Sequence, residues 1–149
     1  MEQQTARRVR QWRAAWVCLA VALALHVTDE ALTGFLPVYN GIVEAIRANH
    51  PWVLLPTFTF PVWLAGLVLG ILLLLALTPV VSRGGRWIRV VSLVLSIVMI
   101  GNALGHLGVS LYWGRVAPGA YSSPLLFLAA VALLVTSARA KVQGPHRGA

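Results

Sequence analysis

Hydrophobic residues along this chain gather into four long runs, separated by short stretches rich in arginine, glycine and proline. The runs cover about residues 14–32, 61–80, 87–112 and 123–138. Each approaches the ~20 apolar residues that carry an α-helix across a bilayer. In lipid, a single segment of this length satisfies its own backbone groups only as a helix. The pattern therefore predicts an all-α fold: an integral membrane four-helix bundle, one domain spanning residues 1–149. The third run is long and the fourth short, differences that tilt can absorb.

Between the first two runs lies a connection, about 33–60, that is not plainly hydrophilic. Within it, "YNGIVEAIRANHPWVLLPTFTF" carries a short amphipathic stretch at 42–48, followed by Pro51, Pro56 and Pro61. This reads as a short interfacial helix and an extended, aromatic-rich return. It serves either as a lid over the outer mouth of the bundle or as a membrane-surface anchor. Glu44 and Arg47, three apart, read as a solvated pair. His50 reads as a turn residue before Pro51, and "KVQGPHRGA", with His146, as a frayed C-terminal tail.

Charge adds an orientation. Arg7, Arg8, Arg10 and Arg13 precede the first run, Arg83, Arg86 and Arg89 separate the second from the third, and Arg139, Lys141 and Arg147 follow the fourth. Ten of the 12 basic residues thus fall on one side, leaving Arg47 and Arg115 on the other. The positive-inside rule then places both termini in the cytoplasm of a multi-pass protein of the cell membrane. A competing reading takes "RRVRQWRAAWVCLAVALA" as a cleaved secretory signal, with Ala22-Leu23-Ala24 as its cleavage site. Trp12, Trp52, Trp63, Trp87 and Trp113 fall near run ends, as aromatic belts do.

Composition agrees with the membrane class: 58% of residues are hydrophobic and 11% charged. The net charge of +8 is divided among short groups rather than gathered in a patch, which argues against a nucleic-acid partner. Membrane lipids are the expected partners; oligomeric state is left open. Cys18 is the one cysteine, so no internal disulfide forms.

The candidate chemistry lies inside the runs. Of only four acidic residues, two stand side by side in "ALALHVTDEALTG". His26, Asp29 and Glu30 are spaced i, i+3, i+4 and project from one helical face. On the third run, "MIGNALGHLGVSLYW" spaces Asn102 and His106 at i, i+4. With Trp12 and Trp87 as inner boundary markers, His26 to Glu30 lie ~21 to 27 Å along their helix at 1.5 Å per residue. Asn102 and His106 lie ~22 to 28 Å along theirs by the same count. Two polar faces at one depth, in the outer half of the membrane, are expected to meet. Ionisable groups there point into the bundle and pair, and Gly101, Ala103, Gly105 and Gly108 would let the third helix approach a neighbour.

Two histidines and two carboxylates converging from two helices are the ingredients of a site for zinc, iron or manganese. Metal-free acid–base or ion-pair chemistry and a structural hydrogen-bond network are the other readings of the His26 group, and a His–Asn pair can simply hold helices together. Buried carboxylates beside histidine also allow a proton relay. No G-x-S-x-G, P-loop, G-x-G-x-x-G or H-E-x-x-H pattern occurs.

"HVTDE" is similar to the signature of the HXXEE-domain family of small bacterial membrane proteins, with Asp29 in place of its first glutamate. A later histidine of that family matches His106 in "NALGHLG". Its Y-x-P-G motif corresponds to "RVAPGAY", where Pro118 and Gly119 match and Val116 stands in the tyrosine's place. Tyr112 and Tyr121 are nearby. The family is defined by its motif rather than by an activity. The resemblance implies that His26, Glu30 and His106 form the working part.

The leading expectation is a metal-dependent membrane enzyme, a hydrolase or oxidoreductase, acting on a lipidic or apolar substrate. His26, Glu30 and His106 would ligate a divalent transition metal, with Asp29 as a further ligand or general base and Asn102, Tyr112, Pro118 and Gly119 in support. A proton- or ion-handling protein is the alternative, and a non-catalytic subunit with a structural polar cluster the second.

Overall fold

The first helix, α1 (Glu2–Thr33), contains neither glycine nor proline and is rich in alanine, leucine, valine and arginine, so nothing interrupts it. In this computed structural model, which describes residues 2–140, its 32 residues extend ~48 Å. That exceeds the ~30 Å of a hydrocarbon core, so the arginine-bearing turns at its start continue past the apolar part. Gly34, at φ +79°, ends α1 and turns the chain directly into α2 (Phe35–Asn49).

The sequence pattern suggested a helix only at 42–48; α2 starts seven residues earlier. Pro37 lies in its first turn, where the missing N–H has no intrahelical partner to lose. The extended return is laced to α2. Tyr39 Oη donates to Pro56 O at 2.9 Å, and the Asn40 amide bonds Phe58 at both its carbonyl, 2.9 Å, and its N–H, 3.1 Å. The Arg47 guanidinium donates to Leu55 O, so Arg47 serves the return and forms no ion pair with Glu44 among the described residues. His50 sits where the sequence places a turn, its N–H closing the end of α2 on Ile46 O at 2.7 Å.

The second run is one helical segment, Phe60–Ser82, with an irregularity near its end. α3 (Phe60–Ala76) and α4 (Thr78–Ser82) meet at Leu77, just before Pro79, which has no N–H to carry the helical ladder. α5 (Arg86–Trp113) and α6 (Ser123–Arg139) follow, and no strand occurs among the described residues. α6 packs against both α1 and α5, while α3 and α4 pack against α1.

The core between them holds Trp12, Trp16, Leu19, Ile88, Leu126 and Leu133, all essentially inaccessible. Trp12 is therefore a core residue and not a belt residue: its indole N–H donates to Ser92 Oγ at 3.0 Å inside the bundle. Trp16 does the same to Leu74 O at 2.7 Å. Trp12, Trp16 and Leu19 all precede Ala24, so cleavage there would remove much of this core. The face of α5 turned inward carries Ser92, Ser96 and Ala103. The two serines donate to the carbonyls one turn back, at 2.8 and 2.6 Å, leaving no unpaired hydroxyl in the seam.

Three helical segments are long and apolar enough to cross a membrane: Gln3–Thr33, Phe60–Ser82 and Arg86–Trp113. α3 buries none of its residues, and its leucines and valines form an exposed apolar face far larger than a water-soluble monomer carries. α6 has 17 residues, ~26 Å, and is shorter than the other three. Three of the basic groups meet at one end. Arg8 Nη1 donates to Arg139 O at 3.2 Å, and Arg89 reaches Ser137 O at 2.9 Å and Ala138 O at 2.7 Å. These bonds satisfy the terminal carbonyls of α6 and place the positive charge where the helix dipole favours it. Lys141, His146 and Arg147 lie outside the described residues.

α6 is short because the segment joining it to α5, residues 114–122, folds back into the bundle at the opposite end. Ala117 and Ala120 are buried, and much of the backbone there is bonded to side chains of the bundle. Ser110 Oγ accepts from Ala117 N at 3.0 Å, Thr33 Oγ1 from Gly119 N at 3.1 Å, and Asp29 Oδ2 from Ser122 N at 2.9 Å. Irregular backbone is tolerated inside a bundle where the protein itself supplies partners.

Candidate metal centre

α1 and α5 run parallel on either side of α6, and both place polar residues one turn apart near the re-entrant segment. A parallel pair with matching i, i+4 spacings can meet twice in one register, and it does. Asn102 Nδ2 lies 3.0 Å from His26 Nε2, and His106 Nε2 lies 3.1 Å from Glu30 Oε1, each pair separated by 76 residues. The two pairs meet at matching levels along α1 and α5, as the rise per residue leads one to expect. His26 Nε2 is also 3.5 Å from Glu30 Oε1. His26, Glu30 and His106 are all buried, their ligand atoms within 4.8 Å of one another.

The outer nitrogens of both rings are already committed. Pro118 O, which can only accept, lies 2.6 Å from His106 Nδ1, so that nitrogen carries a proton. Ser122 Oγ donates its one proton to Asp29 Oδ2 at 2.7 Å and lies 2.9 Å from His26 Nδ1, which therefore donates to it. With both Nδ1 atoms acting as donors, the neutral rings direct their Nε2 lone pairs toward Glu30 Oε1. His26 Nε2 already accepts from Asn102 Nδ2 at 3.0 Å, so the electropositive partner still required, a proton or a metal ion, belongs between His106 Nε2 and Glu30 Oε1.

The spacing can be tested against a metal. Ligands 2.0–2.2 Å from a tetrahedral zinc stand ~3.4 Å apart by simple geometry. The two separations from Glu30 Oε1, 3.1 and 3.5 Å, bracket that value, while the three ligand atoms as a set are held only within 4.8 Å, so an ion would have to draw the two imidazoles together. Outer-ring hydrogen bonds to a carbonyl and to a carboxylate-held hydroxyl are also what orient metal-bound imidazoles. The donor set, two imidazoles and a carboxylate, suits zinc, iron or manganese.

Close packing holds the three together. The rings of His26 and His106 meet edge to face at 4.8 Å between centroids, and Phe35 of α2 covers His106 at 5.3 Å. Gly119, at φ +80°, has no room for a side chain: a Cβ there would lie 2.8 Å from His106 Cε1 and 3.0 Å from Glu30 Cγ. Left-handed backbone and close approach both require glycine at this position.

Several expected residues have other places. Asp29 does not face the two histidines; one residue before Glu30, it is turned ~100° around the helix. There its carboxylate holds Ser122 by backbone and hydroxyl, so its place is behind His26 rather than among the ligands. Tyr112 is 88% exposed and stands away from the centre, as does Tyr121. Gly101, Gly105 and Gly108 do not serve helix packing, since a Cβ at each would meet nothing within 4 Å. Pro118 and Gly119 do belong to the centre, through the carbonyl and the close approach just described.

Ser122 and Thr33 are contributors that sequence reasoning missed. A serine just ahead of Pro124 reads as an ordinary helix cap, yet the Ser122 hydroxyl makes no capping bond. Only its depth, level with His26, could have indicated otherwise. Comparison with family models, curated proteins and solved structures returns no match for this chain.

Proposed function

We propose that this chain is a small multi-pass membrane protein that binds one divalent transition metal through His26, Glu30 and His106, and that it acts as a metal-dependent enzyme on an apolar substrate. The observation that supports the reading is the buried grouping of His26, Glu30 and His106, with His106 Nδ1 held as a donor by Pro118 O so that its Nε2 lone pair faces Glu30 Oε1; an ion there would take the place of the Asn102 amide at His26 Nε2. A zinc, iron or manganese ion there would act as a Lewis acid and lower the pKa of a bound water. Pro118 and the Asp29–Ser122 pair fix the ring tautomers. Phe35 restricts water at His106.

The four apolar segments are read as spans, α6 being completed by the re-entrant 114–122 segment. The basic end lies at the cytoplasmic face of the cell membrane, with both termini there, and the centre in the outer half. Membership of the HXXEE-domain family is part of the same proposal, resting on His26, Glu30, His106, Pro118 and Gly119.

Purification in mild detergent followed by elemental analysis tests it. One equivalent of metal in the wild type, lost in Glu30→Gln with the fold retained, is the expected result. No metal under any supply of zinc, iron or manganese overturns the reading.

A second reading, a proton-handling protein, has one observation in its favour. Among the described residues no buried side-chain polar atom lacks a partner, even without an ion. One proton between His106 Nε2 and Glu30 Oε1, with Asn102 donating to His26, satisfies the cluster. Under that reading, reconstituted vesicles show a proton flux that Glu30→Gln abolishes.

A further inference from the structure

A groove of about 330 Å³ lies between α2 and α5, beside the centre. Phe35, Val38, Tyr39 and Ile42 of α2 form one wall, and Val109 and Trp113 continue it along α5. The polar side chains at its floor are Asn102 and His106, both at the centre, while the Tyr39 hydroxyl is turned away to Pro56 O. From Gly101 to Trp113 the groove follows α5 for ~18 Å. α2 packs on α1 and meets α5 through Phe35 and His106, so this side of α5 is only partly covered.

Gly101 and Gly105 explain why the groove exists. They stand one turn apart on α5, both line it, and open space lies where their side chains would be. On an ordinary membrane helix such a pair brings two helices together. Here it bares the α5 backbone beside Asn102 and His106.

We infer that this groove is the substrate site and that its occupant is a neutral, single-chain lipid lying along α5 with its hydroxyl, ester or amide group at His106. The lining is apolar and about as long as one extended chain. The volume is at the small end of ligand pockets, ~300–1,000 Å³, which suits one chain and not two. Among the described residues no arginine or lysine lines it; Arg115 lies over the Trp113 ring at its far end, 5.1 Å from the centroid, so a headgroup at His106 meets no cation. Gly101 and Gly105 are the specificity-determining residues, because any side chain there takes the space of the lipid chain. The inference rests on the metal-site reading for its reactive end alone.

A photoactivatable long-chain alcohol, incorporated into vesicles with the full-length protein, tests it. Labelling is expected on Ile42, Val109 and Trp113. Gly105→Leu should reduce it by about tenfold or more through overpacking. The variant should fold at least as well, since leucine favours helix over glycine and its Cβ meets no neighbour. Its metal content should stay at the wild-type level. An uncharged long-chain ester should compete with the label, and a single-chain phospholipid should not. Labelling unchanged in Gly105→Leu, or confined to α3, overturns the inference, as does equal competition by the phospholipid. If the wild type holds no metal yet Gly105→Leu still abolishes labelling, the groove stands and the metal reading fails.

Discussion

Replacing Gly119 by alanine perturbs the cluster without altering His26, Glu30 or His106 themselves. The new Cβ would stand 2.8 Å from His106 Cε1, 2.9 Å from Nδ1 and 3.0 Å from Glu30 Cγ. The His106 ring cannot simply retreat, because Nδ1 is held at 2.6 Å by the carbonyl of Pro118, the adjacent residue. Two costs add. Left-handed backbone at φ +80° costs a non-glycine residue ~1–2 kcal/mol, and overpacking a tight site ~1–3 kcal/mol. The sum, ~2–5 kcal/mol, falls on fold stability, on the position of His106, or on both.

Gly34 supplies the control. It has nearly the same φ, +79°, but open space around its Cβ, so Gly34→Ala bears the backbone cost alone. Thermal unfolding in detergent and competitive zinc titration, run on both variants, separate the two terms. Gly119→Ala should be less stable than Gly34→Ala and bind metal ~10–100-fold more weakly, the usual effect of disturbing the supports of a metal ligand. If the two variants match in stability and in zinc affinity, His106 and Glu30 do not rest against Gly119 and the geometry of the centre is wrong.

Three further outcomes follow from the same geometry. Ser122→Ala removes the hydroxyl joining Asp29 to His26, and should lower zinc affinity ~10–100-fold by competitive titration while the helical circular dichroism is retained. Tyr112→Phe, at a residue 88% exposed, should leave metal content and stability at wild-type values; a loss of metal would return Tyr112 to the centre. Leu126→Ala in the fully buried core should cost ~2–5 kcal/mol in reversible unfolding, with metal content per folded molecule unchanged.

What could be read from the residues divides along physical lines. The long helices were legible because apolar runs of ~20 residues satisfy their own backbone groups within a single segment only as helices. The meeting of His26 and Glu30 with Asn102 and His106 was legible because a helix rises by a fixed 1.5 Å per residue, and depth survives without knowledge of packing. Direction around the helix did not survive as well. Asp29 and Glu30 are neighbours in sequence, and which faced the histidines depended on where α6 and its re-entrant approach lay.

Long-range placement hid the remainder. Trp12 and Trp16 sit where belt residues sit, and only the serine and carbonyl that receive their indole protons make them core residues. The glycines of α5 looked like a packing seam, whereas the seam is Ser92, Ser96 and Ala103 on another face. The re-entrant 114–122 segment resembled a plain loop because its backbone partners come from Thr33, Asp29 and Ser110, on two other elements.

X-ray absorption at the metal edge, on purified protein, tests the central claim most directly. The account predicts one ion per chain, with two imidazoles and a carboxylate oxygen at ~2.0–2.2 Å. In Glu30→Gln that shell should disappear or lose its carboxylate oxygen. A hydrated ion with no imidazole scattering, or a protein that takes up no metal, would contradict it.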